Sequence, residues 1–206
     1  MSKLFIEDST LTAIADGFRT SRGITDKIST ERMAELAAVP IGGGGSNKLA
    51  QIIERTVTEI TAEDLPGVTT IGSYAFSNCS LLSKLELPNS IKSVGIYSFN
   101  GCAAIEEIVL PDSIEELNTS CFYNCSKLKK VIFNKGISKI SHQAFNRCVA
   151  LQELDFTKCT FVPELLNVNA FGSVPTTCVI KVPATLYDEW KAATNWSNYA
   201  DYMAAV

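Results

Sequence analysis

Residues 68–159 read VTTIGSYAFSNCSLLSKLELPNS (68–90), IKSVGIYSFNGCAAIEEIVLPDS (91–113), IEELNTSCFYNCSKLKKVIFNKG (114–136) and ISKISHQAFNRCVALQELDFTKC (137–159). The four segments align without gaps at a period of 23 residues. The columns that agree are nearly all apolar: Val68/Ile91/Ile114/Ile137, Ile71/Val94/Leu117/Ile140, and Phe76/Phe99/Phe122/Phe145. Cys79/Cys102/Cys125/Cys148 follow, then Leu82/Ile105/Leu128/Leu151, Leu85/Ile108/Val131/Leu154 and Leu87/Leu110/Phe133/Phe156.

One such coil cannot bury its own apolar face, so neighbouring coils must stack and share an interior. The L-x-x-L-x-L run at 82–87 ends in period-two alternation, which predicts a strand with one buried face. Stacked in register, these strands form a parallel sheet with a spacing of about 4.8 Å. Pro88-Asn89-Ser90 and Pro111-Asp112-Ser113 then turn the chain, because proline cannot donate to a continuing ladder.

The pattern I-x-x-I-G-x-x-A-F-x-x-C-x-x-L-x-x-I-x-L-P-x-S resembles the BspA-like, surface-antigen class of leucine-rich repeats. The resemblance implies a leucine-rich repeat solenoid and, for members displayed on bacterial cells, attachment to host or matrix proteins. Asn118 and Ser141 depart from it where Gly72 and Gly95 stand, and Asn134 and Thr157 where the prolines stand. These changes are expected to loosen the turns and leave the apolar columns intact.

The whole chain has 206 residues, a formal charge of −4, 46% hydrophobic and 19% charged residues. That composition is ordinary for a globular protein. It lacks the basic footprint of a nucleic-acid binder, and no apolar run approaches the roughly 18 residues of a membrane span. Met1-Ser2-Lys3 leads through three apolar residues to Glu7 and Asp8, so no signal peptide is expected. The chain is then cytoplasmic at synthesis, with a virion or a cell surface as destinations.

Seven cysteines without a leader suggest reduced thiols rather than disulfides. With no C-x-x-C and His142 as the single histidine, neither a Cys/His zinc site nor a histidine-based triad is expected. His142 shares its repeat position with Ser73, Ile96 and Thr119, a variable surface slot. The aligned cysteines read as a ladder inside the coil, since free cysteine is among the most buried residue types. Gly42–Gly45 lacks the Gly-Lys-Ser/Thr of a phosphate loop. The acid pairs Glu106-Glu107 and Glu115-Glu116 and the cluster Lys127, Lys129, Lys130 read as solvated surface. No catalytic, cofactor or metal residues are expected.

Six segments follow. Residues 1–39 carry two short helices, with Leu11, Ile14 and Phe18 on one face and Met33, Leu36 and Ala37 in the second; 40–47 are a glycine-rich linker. Residues 48–67 form a half-repeat, 68–159 the four repeats, 160–183 an edited fifth repeat with an insertion, and 184–206 a helical cap over the last core layer. The opening segment also resembles, weakly, the N-terminal parts of phage and prophage tail-associated proteins.

In-register stacking assigns two outward columns to the sheet. One is Lys84, Glu107, Lys130, Glu153, with alternating signs; the other is Glu86, Val109, Ile132, Asp155, continued by Lys181. Val109 and Ile132 form an outward apolar pair with a charged rim, the composition of a small protein-binding patch. The leading expectation is a non-catalytic recognition module for a host, matrix or envelope protein, using these eight residues. The alternative is a phage or prophage tail component, with residues 1–39 serving docking or homo-oligomerisation.

Overall fold

The computed structural model describes residues 51–52 and 54–206, so the expectations for residues 1–39 and 40–47 lie outside the described residues. Along the chain run strands β1 (Glu59–Ile60), β2 (Thr70–Ile71), β3 (Lys84–Leu85), β4 (Ser93–Val94), β5 (Glu107–Val109) and β6 (Glu116–Leu117). After them come β7 (Lys130–Ile132), β8 (Lys139–Ile140), β9 (Glu153–Asp155), β10 (Glu164–Leu165), β11 (Val179–Val182), helix α1 (Tyr187–Ala192) and β12 (Met203–Ala205). Every strand pairing is parallel, as coils stacked in one direction require.

Each coil contributes two strands where the L-x-x-L-x-L run announced one. The additional ladder, β2-β4-β6-β8-β10, is built on the Ile71/Val94/Leu117/Ile140 column, with Leu165 next in line. Its members are two residues long, too short to show alternation in the sequence. The expected ladder lies on the other side as β5-β7-β9-β11, while β1 and β3 form a separate two-stranded sheet.

Between the ladders the chain bends through an arc that visits the left-handed region twice per coil. Tyr74, Tyr97, Ser120 and Gln143 hold φ values of 53–61° at one repeat position. Asn78, Gly101, Asn124 and Arg147 hold 57–71° at another. Only Gly101 among them escapes the steric cost of that region for free. The bends aim alternate amides at the next coil: Tyr74, Phe76 and Asn78 donate to the carbonyls of Ile96, Ser98 and Asn100 at 2.9, 2.7 and 2.6 Å. The same bonds recur one coil on, from Tyr97, Phe99 and Gly101. Backbone pairing thus continues through the non-strand part of the coil.

The repeated phenylalanines form one stacked file inside. Phe76, Phe99, Phe122, Phe145 and Phe171 lie with successive centroids 5.0, 5.1, 5.3 and 5.6 Å apart and near-parallel planes. All are buried. Beside them Ala75, Ser98, Cys121, Ala144 and Ala170 fill a small-residue column, which accounts for Cys121, one of three cysteines outside the regular file. In the regular file, the Cys102, Cys125 and Cys148 thiols donate to the carbonyls of Phe76, Phe99 and Phe122 at 3.1, 3.3 and 3.3 Å. All seven cysteines are buried and none is in a disulfide. Burial pushes the thiols of Cys159 and Cys178 up to about 12, keeping them protonated and chemically quiet.

The turn substitutions do not loosen the coils, contrary to expectation. Asn118, where a glycine stands in earlier coils, donates to Ser93 Oγ and to the Val94 carbonyl, both at 3.1 Å. Asn134 replaces a proline and donates its Nδ2 to the Leu110 carbonyl. At the next proline position, the Thr157 N–H and hydroxyl donate to Asp155 Oδ1 at 3.0 and 2.7 Å. Side-chain hydrogen bonds thus take over the restraint that the proline ring supplied.

The C-terminal segment closes the stack with more than helix. α1 and a 3-10 turn at Trp196–Tyr202 bury Trp190 and Trp196 against Phe156 and Phe171 at centroid distances of 4.8–5.7 Å. The chain then adds β12 beside β11. At the end of the other ladder no further strand arrives. There Asn195 Nδ2 and Trp196 Nε1 each donate at 2.7 Å to the carbonyls of Leu165 and Pro163. These side chains satisfy an edge that would otherwise remain open.

Candidate interaction face

The outward residues of β5, β7 and β9 alternate with the buried Ile108, Val131 and Leu154, as a one-sided strand requires. In the ladder, Glu107 stands beside Lys130 and Lys130 beside Glu153, while Val109 stands beside Ile132 and Ile132 beside Asp155. Lys181 of β11 lies opposite Asp155. These positions follow the two expected columns. Val109 is 49% exposed, and Ile132 is half-buried.

The ions divide unevenly. Glu153 takes both neighbouring lysines, with Lys130 at 3.0 Å and Lys181 at 2.7 Å. The hydrogen bond from Lys181 is the largest influence on its carboxyl; burial, next in size, opposes it, and the bond from Lys130 with the charges of both lysines leaves the carboxyl below the ordinary value of 4.5. Asp155 is engaged by Thr157 in the turn, so it belongs to the frame of the face. Glu106 binds Lys129 at 2.8 Å across the same pair of strands.

Lys84 and Glu86 depart from the expected columns. β3 pairs with β1, placing Lys84 opposite Glu59, and the Lys84 ammonium binds Glu86, just past the end of β3, at 3.0 Å. No pairing joins β3 to β5 among the described residues. The backbone bonds skip the same interval. Ser83, Lys129 and Gln152 donate to the preceding coil at 2.9, 2.8 and 2.8 Å, and Glu106, at the corresponding position, has no such bond. Leu110, Phe133 and Phe156 donate to the following coil at 3.0, 2.8 and 2.8 Å, and Leu87 does not. The two coils nonetheless stay joined through β2–β4, the arc amides and the Phe76–Phe99 stack. The result is a seam on this face alone. It was invisible in the sequence, since coils one and two have the same period as the others.

His142 is exposed. Among the described residues no three His, Cys, Asp or Glu side chains converge to hold a metal, and no helix is long and apolar enough to cross a membrane. A recess of about 490 Å³ lies between Val162–Leu166 and Ala193–Trp196. Its walls are the β10 edge and the cap that covers it.

No curated protein matches the chain. Among solved structures it is similar to a leucine-rich repeat protein of T. pallidum, at 22% identity and a TM-score of 0.53 over 62% of this chain and 60% of that one. It is also similar to the pneumococcal vaccine antigen PcpA, at 16% identity and a TM-score of 0.49 over 73% and 38%. A leucine-rich cell surface protein of Faecalibacterium prausnitzii matches at 22% identity and a TM-score of 0.40 over 50% and 30%. The chain thus aligns with only part of each of these proteins, and the treponemal likeness supports the fold alone. Residues 54–173 match the family model described as the BspA type leucine rich repeat region, in six copies. The chain therefore belongs to the BspA-type leucine-rich repeat family.

Proposed function

We propose that the chain is a non-catalytic, adhesion-type recognition module that binds a host, matrix or envelope protein through the outward face of β5, β7 and β9. The observation that carries this reading is the side-by-side placement of Val109 and Ile132 in the ladder, with Val109 49% exposed. Charged residues border the pair on two sides: Glu107 and Lys130 two positions back on the same strands, and Asp155 beside Ile132. Leucine-rich repeat proteins generally bind proteins, and a repeat scaffold whose interior is constant while its outward positions vary suits that task.

The Val109→Lys, Ile132→Lys double variant tests it. Both side chains point away from the core, so the variant keeps its unfolding temperature. Capture of partners from host-cell and bacterial-envelope lysates is abolished; undiminished capture by a folded double variant contradicts the reading. The tail-component alternative rests on residues 1–39, outside the described residues.

A further inference from the structure

Glu107 differs from the other carboxylates of its face. Lys130, its ladder neighbour, turns to Glu153, and Lys84 turns to Glu86. Glu106 holds Lys129, and Asp155 is bonded by Thr157. Among the described residues no cation lies within ion-pair distance of Glu107. Two residues on, and on the same side of the strand, stands the exposed Val109.

The backbone of β5 adds a third feature. Glu106 accepts from Lys129 and Lys130, and Leu110 donates to Ile132, so the even-numbered residues pair toward β7. In a strand the alternate groups point the other way, which turns the N–H and C=O of Glu107 and Val109 toward the seam, where β3 does not pair with them. A carboxylate without a contact ion pair, an exposed aliphatic side chain and an unpaired strand edge therefore meet within three residues.

We propose that the β3–β5 seam docks an extended segment of the partner protein carrying basic and aliphatic residues two apart. The cation sits on Glu107, and the aliphatic side chain lies across Val109 and Ile132. The i, i+2 spacing of Glu107 and Val109 is that of a strand, and a strand edge recognises an extended chain while its side-chain positions select the sequence. This inference rests on the recognition reading above and deepens it by naming the chemistry of what is recognised.

The test uses the full chain and labelled decapeptides of alternating Lys–Val and alternating Glu–Val, followed by fluorescence polarisation. The Lys–Val peptide binds, and the Glu–Val peptide binds at least about tenfold more weakly, because like charges then face each other. Glu107→Gln weakens Lys–Val binding by about threefold, the scale of one exposed ion pair. Glu189→Gln, on the exposed side of α1, does not weaken it, which separates docking on β5 from general attraction to an acidic protein. Equal binding of the two peptides, no binding of either, or indifference to Glu107→Gln overturns the inference. Its failure is distinct from failure of the recognition reading: the Val109→Lys, Ile132→Lys variant would still lose its captured partner in the first case and keep it in the second.

Discussion

The junction between coils one and two and the junction between coils four and five invert what their spacing suggests. Phe76 and Phe99 lie one regular period apart, yet the ladder breaks between β3 and β5. Phe145 and Phe171 span 26 residues, with an insertion between them, yet β9 and β11 pair over three residues. The difference lies in the side chains that cross each gap. At the later junction Lys181 of β11 reaches 2.7 Å to Glu153 of β9, which also holds Lys130 of β7, and the Phe156 N–H donates to the Lys181 carbonyl at 2.8 Å. At the earlier one Lys84 spends its charge on Glu86, two residues along its own coil, and the Leu87 N–H has no bond to the next coil. An equal period brings coils into register; cross-strand contacts decide whether a ladder closes.

The largest way to break this comparison is to remove what holds the early junction in place of the ladder. Phe99 stacks on both Phe76 and Phe122 at 5.0 and 5.1 Å. Phe99→Ala is expected to cost about 3–5 kcal/mol in urea unfolding. Because coil one has no β3–β5 pairing to fall back on, the variant should also lose cooperativity, with residues before Ser90 melting first. A small loss with one sharp transition would mean that the arc file is not what joins these coils.

A smaller effect sharpens the later junction. Glu153→Gln removes the double ion pair, whose carboxylate is only 22% exposed, and is expected to cost about 1 kcal/mol at neutral pH. The sign with pH follows from the lowered carboxyl. The stabilisation is complete above the ordinary carboxylate value of 4.5 and fades as the pH falls through the lower folded-state value. Wild type and variant should therefore converge in stability as the pH falls below the lowered folded-state value and differ most above the ordinary value of 4.5. Parallel curves throughout would show that Glu153 contributes nothing as an ion.

The apolar columns were legible because burial imposes the same demand at every coil, and Phe76, Phe99, Phe122 and Phe145 stand in one file as the spacing required. The candidate face was legible in part. In-register stacking placed Val109 beside Ile132 and Lys130 beside Glu153, since alternation fixes which residues point outward. What the sequence could not carry were choices among near-equal partners. Lys84 had carboxylates two residues on and in the next coil, and nothing in the residue order selects Glu86. The left-handed bends at Tyr74 and Tyr97 fall on residues with no preference for that region, so only the inter-coil amide bonds reveal them. The second ladder passed unnoticed because two-residue strands are too short for a period.

Residue-resolved amide hydrogen exchange tests the central claim, that coils one and two meet through β2–β4 and the arc and part between β3 and β5. The amides of Glu107 and Val109 are expected to exchange at least about tenfold faster than those of Lys130 and Ile132, their counterparts one coil on. Phe76 and Asn78, which donate across the same junction at 2.7 and 2.6 Å, should be protected. Equal protection of Glu107, Val109, Lys130 and Ile132 would show a continuous ladder and contradict the account.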